Sequence, residues 1–265
     1  MRGGAQSHLI EGEDGRFYVV KFQNNPQHRR TLANEWIASR VLNYLEIATP
    51  PIDIVYFSDQ FLMDNPEVHM QFGTKRVPVE AGRHFGSRFP GDPASVAVYD
   101  FVPDTLLLTV ENLSEFLGIL AFDIWTGNAD ARQSIFVRTR LRDLKRFSDE
   151  HSLRQGFVAL MVDHGLIFNG RHWDYPAPTQ GLYFRPVIYQ GVRGLIDFEP
   201  WLDRLLHFPP SLFADVRQSI PPEWIHGDED ALDRLFDKLI LRRKNVPNLL
   251  KRCSEDRPGL FPNWT

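Results

Sequence analysis

The sequence predicts an α+β protein of two lobes, the first rich in strands and the second mostly helical. Three observations predict it. Residues up to about 100 alternate short aromatic or β-branched runs with a single long helical period. Beyond that point helical periodicity dominates, interrupted by two apolar runs that read as paired strands. Between the two regimes Pro103 closes a strand, because proline supplies no amide to a ladder. The division places one lobe at residues 1–103 and the other at 104–265, with a cleft between them.

In chain order, Ser7 to Ile10 reads as a strand, and EGEDGR (11–16) carries the Asp-Gly signal of a hairpin. Phe17 to Phe22, FYVVKF, is the second strand, broken by QNNP (23–26). Leu32, Trp36, Ile37, Val41 and Leu45 recur at helical spacing from Thr31 to Leu45, and ATPP (48–51) stops that helix. Ile52 to Phe57 is a third strand. The stretch from Asp59 to Pro93 is rich in Gly, Pro and charge and fits neither period. Ser95 to Phe101 reads as a short strand. Leu113 to Trp125 predicts a helix with Leu113, Phe116, Leu117, Leu120 and Ile124 on one face. SIFV (134–137) and FVALMVD (157–163) predict a strand pair, and Pro200 to Leu205, Pro210 to Ser219 and Glu229 to Lys244 predict helices.

Composition narrows the function. A formal net charge of −4 and a pI near 6.1 argue against a nucleic-acid partner, and the run RRK (242–244) is too short to reverse that. Cys253 is the single cysteine, which excludes an internal disulfide and a thiolate zinc site and makes a cytoplasmic location the expectation. The opening MRGGAQSHLIEGEDG lacks a signal-peptide core, and no apolar run approaches the ~18 residues of a membrane span. No HExxH and no nucleophile-elbow serine is present, which argues against zinc and serine hydrolases.

Several residues could carry chemistry. Lys21 sits in a strand apolar on both faces, so its ammonium either lies at an exposed edge or pairs with an anion; Glu35 on the next helix is a candidate partner. Gly3, Gly4, Ala5 and Gln6 form a small-residue turn able to offer amides to a phosphate, or a loose terminus. Asp130, in DIWTGNADAR (123–132), follows a helix beside Asn128 and is either a catalytic carboxylate or a loop residue. Asp163 ends an apolar strand and is either a metal ligand or a turn aspartate. His84 in AGRHFGSR could bind an anion with Arg83 and Arg88, though a solvated basic loop is the plainer expectation. A phosphate loop, a strand lysine, a helix glutamate, a loop aspartate and a strand-end aspartate follow the order of parts in kinases, without a Walker motif or HRD and DFG triplets.

In GGAQSHL (3–9), YVVKF (18–22), NEW (34–36), GNADAR (127–132) and VDHG (162–165) the chain resembles the HipA-like kinases and, more distantly, the phosphatidylinositol 3/4-kinase fold. The resemblance implies a two-lobed, protein-kinase-like fold with ATP and Mg2+ as cofactors. Gly4, Ala5, Gln6 and Ser7 would cover the phosphates, Lys21 would contact them, and Glu35 would orient Lys21. Tyr99 and Phe101, in VYDFVP, would form the adenine-holding hinge. Asp130 would be the base, with Asn128 shaping its loop, Asp123 supporting it and Asp163 as metal ligand. Such loops usually place a second ligand, asparagine, five residues after the catalytic aspartate; here that residue is Ile135, leaving Gln133 or Ser134 as substitutes. The serine that HipA toxins autophosphorylate and their N-terminal subdomain have no counterpart, so a compact form is expected and the toxin's role and target do not carry over. The expected activity is phosphorylation of an unknown hydroxyl on a protein, lipid or small molecule, Ser/Thr included. The alternatives are a nucleotide-binding pseudokinase with a regulatory role, a nucleotidyl-transferring enzyme, and an interaction domain without nucleotide.

Overall fold

The computed structural model describes residues 4–141, 154–175 and 181–265. The chain opens with a hairpin of β1 (His8–Glu11) and β2 (Phe17–Lys21), and Gly15, with φ of 70°, supplies the left-handed turn residue that the Asp-Gly signal called for. Helix α1 (Arg30–Leu45), strand β3 (Ile52–Phe57), helix α2 (Asp59–Asp64) and a small hairpin of β4 (His69–Phe72) and β5 (Lys75–Pro78) follow. Strand β6 (Gly82–Arg88) completes an antiparallel sheet of order β1-β2-β6-β3.

The ambiguous stretch therefore contains an internal strand of the main sheet. GRHFGSR hid it because it holds two glycines and no β-branched residue. Gly86 is there for space: a Cβ at that position would lie 2.5 Å from Val55 Cγ2. The same strand corrects the reading of His84, which is fully buried against Phe22 and Phe57 rather than solvated in a basic loop.

The strand expected from Ser95 to Phe101 shrinks to β7 (Val98–Tyr99), which pairs with β8 (Gln133–Arg140) and not with the first sheet. After α3 (Asp104–Leu107) comes α4 (Glu115–Thr126), and then β8 pairs antiparallel with β9 (Gln155–Val162), as the two apolar runs predicted. Helices α5 (Pro186–Tyr189), α6 (Trp201–Leu206), α7 (Pro210–Ser219), α8 (Pro222–Ile225), α9 (Glu229–Arg242) and α10 (Val246–Asp256) complete the described chain. None of the described helices is long and apolar enough to cross a membrane.

Alternation along β2 sorts its side chains. Tyr18, Val20 and, just beyond the strand, Phe22 join Phe57, Val68, Met70 and Val79 in a core on one face of the sheet. Val19 and Lys21 point to the other face, towards the helical half. The larger core runs without a break from Leu32, Trp36 and Phe85 through Phe122 and Trp125 to Leu250. Helix α4 lies at its centre, buried on nearly every side, so its apolar residues extend beyond the single expected face. Gly118 lets α4 approach α6, since a Cβ there would sit 2.5 Å from the Trp201 ring.

Candidate active site

Lys21 comes off β2 beneath the sheet and meets two carboxylates. Its Nζ donates to Glu35 Oε1 from α1 and, at 2.7 Å, to Asp163 Oδ1 from the residue after β9. Burial alone would lower the lysine's pKa, but the two carboxylates outweigh it and raise it, so the ammonium stays charged. Burial likewise pushes Asp163 up, yet Lys21, Arg132 and a hydrogen bond from Gln133 hold its carboxyl below the usual range. Asp163 has a φ of 59°, a strained setting for a non-glycine residue and one that aims its carboxylate at Lys21.

This group lies on the wall of a cavity of about 260 Å³ between the first sheet and the β8–β9 hairpin. Ser7, Val19, Phe85, Val98, Ile135 and Met161 also line it, so the walls are mainly apolar, with Lys21, Glu35, Asp163 and Arg88 as the charged lining.

Asp130 is held by a tight local network. Gly127, with φ of 66°, ends α4. The Asn128 side chain donates to Asp123 Oδ1 at 3.0 Å and accepts the Asp130 amide at 3.1 Å. Asp130 Oδ1 accepts the Ala131 amide at 2.8 Å, and the side chain stays part-exposed. Below it, the fully buried Arg132 pairs with Asp123, its Nε lying 2.8 Å from Oδ2. The same guanidinium donates to Val162 O and His164 Nδ1, both at 3.0 Å. One buried cation thus joins the Asp130 loop to the two residues flanking Asp163. His164 Nδ1 accepts from Arg132 while Nε2 donates to Met161 O at 3.2 Å, which fixes a neutral tautomer. Burial accordingly lowers its pKa well below the ordinary value. The register supports the juxtaposition: Gln133 pairs with Val162, so Asp130 and Asp163 emerge from the same end of the hairpin.

The structure gathers Lys21, Glu35, Asp163, Gln133 and Ser7 at the cavity and places Asn128 and Asp130 in the loop joined to it. Gly4 and Ala5 form a turn, whereas Gln6 is tied to β4: its Nε2 donates to Gln71 O at 2.7 Å, and its Oε1 accepts the Gln71 amide at 2.6 Å. Gly3 lies outside the described residues.

Tyr99 and Phe101 are not brought to the cavity; they are 49% and 64% exposed, with the Phe101 ring under Arg185. The reason is topological. Their segment pairs with β8, whereas the chain leaves the first sheet at the end of β6, where Arg88 lies opposite Tyr18 and Arg88, Phe89 and Pro90 line the cavity. Ile135 and Gln133 share a face of β8; Ile135 is cavity wall and Gln133 reaches Asp163. Ser134 points the other way and is buried. Among the described residues no group of three or more His, Cys, Asp or Glu side chains could hold a metal. A site built from Asp163 and the Gln133 amide suits a hard, oxygen-seeking cation that takes its remaining ligands from phosphates and water.

Sequence reasoning passed over Asn34 and Arg132. Both stood in the quoted motifs, but a buried polar role is readable only once its acceptors are in place.

The HipA-like kinase family profile matches residues 1–139, just over half of the chain. The chain belongs to the HipA-like kinase family. Lys21, Glu35 and Asp130 fall within the matched part of this HipA-like kinase, and Asp163 falls beyond it. Two solved structures are similar over 97% of the chain. One, the Golgi casein kinase with Mn/ADP bound, has 13% identity, a TM-score of 0.50 and 72% of its own chain covered. The other, the Golgi casein kinase, has 14% identity, a TM-score of 0.51 and 71% covered. At such identities the likeness concerns the fold, which is that of a two-lobed kinase with a sheet-rich N-terminal part and a helical C-terminal part. No curated protein matches the chain.

Proposed function

We propose that the chain is an ATP-dependent phosphotransferase using Mg2+, in which residues 1–103 cover the nucleotide and residues 104–265 present the acceptor. The observation that carries this reading is Lys21 held between Glu35 and Asp163 on the wall of a mostly apolar cavity. Adenine occupies the apolar part, beside Arg88–Pro90 instead of Tyr99 and Phe101. The backbone of Gly4–Ser7 covers the phosphates. Lys21 is shared between Asp163 and the phosphate oxygens, and Glu35 keeps it in place.

Asp163 and the Gln133 amide oxygen would hold Mg2+, which when bound would neutralise charge at the phosphates. The acceptor hydroxyl oxygen forms the new bond to the terminal phosphorus as the bond from that phosphorus to the β–γ bridging oxygen breaks. ADP leaves with that oxygen, and Asp130 takes the hydroxyl proton. The acceptor is a protein, lipid or small-molecule hydroxyl, Ser or Thr of a protein included.

Label transfer from γ-labelled ATP to the protein itself, to Ser/Thr peptides and to water tests the assignment. Asp130→Asn is expected to reduce transfer on the order of 10²–10⁴-fold; equal transfer by wild type and variant contradicts the role. A regulatory pseudokinase is the second reading, favoured by Ile135 at the usual second-ligand position. Nucleotide binding without any transfer selects it.

A further inference from the structure

The polar residue beside Glu35 has no part in the mechanism above. Asn34 is completely buried on α1, and all its bonds run to the segment that follows Asp163. Its Nδ2 donates to Gly165 O at 2.8 Å, to Gly170 O at 3.0 Å and to Ile167 O at 3.1 Å. Its Oδ1 accepts Trp173 Nε1 at 2.8 Å. An amide has two donor hydrogens, so with three carbonyls around Nδ2 one hydrogen is shared and both donors are engaged by one loop.

That loop needs a tie. Asp163, Phe168, Asn169 and Trp173 all have φ between 54° and 59°, and Gly170 has 60°. Each non-glycine residue there costs of order 1 kcal/mol or more relative to ordinary backbone and persists only if its surroundings impose it. Carbonyls turned inwards by such a backbone also require donors. A second tie comes from Arg30, one turn earlier on α1: it stacks 4.4 Å over Trp173 and donates to Arg171 O at 2.6 Å.

We propose that Asn34 is a positioning residue: it fixes the 165–173 segment to α1, so that Asp163 and Glu35 meet Lys21 in a set arrangement before nucleotide arrives and without any modification of that segment. The inference rests on the phosphotransferase reading and adds the device that prepares its metal-binding aspartate.

The test uses ADP and Mg2+, needs no acceptor, and compares wild type with Asn34→Asp, which keeps the size and the acceptor for Trp173 but removes the amide donors. Calorimetric titration gives the Mg2+ concentration for half-maximal ADP binding, and amide hydrogen exchange follows residues 163–174. The expected result is ADP binding without Mg2+ within about threefold of wild type, a Mg2+ requirement raised about tenfold, and faster exchange confined to that segment. Unchanged Mg2+ dependence and exchange overturn the proposal; so does an equal loss of ADP binding with and without Mg2+, the sign of a merely structural role. If Asn34→Asp does not fold, Asn34→Ser, which retains one donor, is expected to shift the same two readouts in the same direction, and no shift overturns the proposal. Wild type that binds no nucleotide sinks the phosphotransferase reading itself, an outcome visible before any variant is made.

Discussion

A lysine inside an apolar strand must find an anion, and Lys21 finds two. Its raised pKa makes it stabilising below the ordinary lysine value of 10.5, a contribution lost as pH rises through the folded value. Asp163, held below its ordinary 3.8, is stabilising above that pH and loses its contribution as pH falls through the folded value. His84 has the stronger effect near neutrality. Its Nδ1 accepts the Gln23 amide and its Nε2 donates to Glu80 O, so only the neutral ring fits, and burial lowers its pKa to about 4. The unfolded chain therefore takes up a proton near pH 6.5 that the folded chain refuses, and stability falls between pH 6.5 and about 4. The loss amounts to ~3 kcal/mol by the usual linkage. Urea unfolding against pH is expected to show a flatter profile in His84→Gln than in wild type; equal slopes contradict this account. The sequence exposed Lys21 because a lone charge among FYVV is conspicuous. It concealed His84, which sits among Gly, Arg and Ser and gives no sign of which face it takes.

The hairpin β8–β9 and helix α4 place Asp130 and Asp163 together, and the buried Asp123–Arg132 pair holds them in register. Removing one member leaves a buried uncompensated charge. Asp123→Ala is expected to destabilise the fold by about 3–5 kcal/mol, measured by urea denaturation, whereas part-exposed Asp130→Asn changes stability by less than about 0.5 kcal/mol. Similar costs for both variants contradict the division between support and chemistry. The elements carrying the site were readable because each is either a helical stripe, as in α1, or a compact apolar run, as in FYVVKF, SIFV and FVALMV. The cavity wall formed by Arg88, Phe89 and Pro90 was not. Strand β6 lacks β-branched residues, and the pairing of VY with β8 instead of the first sheet is a long-range choice that no local pattern encodes.

The two halves are joined by more than the cavity. Helix α1 packs into the core that also holds α4 and α10, so the helix bearing Glu35 belongs to both halves. At the opposite edge, Trp224 of α8 donates to Arg83 O at 2.9 Å and packs edge-on to Trp36, while Arg83 makes two 2.6 Å bonds to Glu223. Arg30 grips Asp228 just before α9. Thermal unfolding is accordingly expected as one cooperative transition by both near- and far-ultraviolet circular dichroism. Trp224→Ala, which empties a fully buried site, is expected to cost about 3–5 kcal/mol; two separated transitions in wild type contradict the shared core. The sequence showed two regimes of periodicity but not this joint, since helix α8 is four residues long and its partners lie far away in the chain. The central claim is that this joined frame offers ATP and Mg2+ one site built on Asp163. It is tested most directly by thermal shift with ATP, with and without Mg2+, on wild type and Asp163→Asn, asparagine being chosen because it tolerates the left-handed backbone there. At a hundredfold excess over Kd, a rise of about 5–10 °C that needs Mg2+ and disappears in the variant is predicted; no rise in wild type, or an equal Mg2+-dependent rise in both, contradicts the claim.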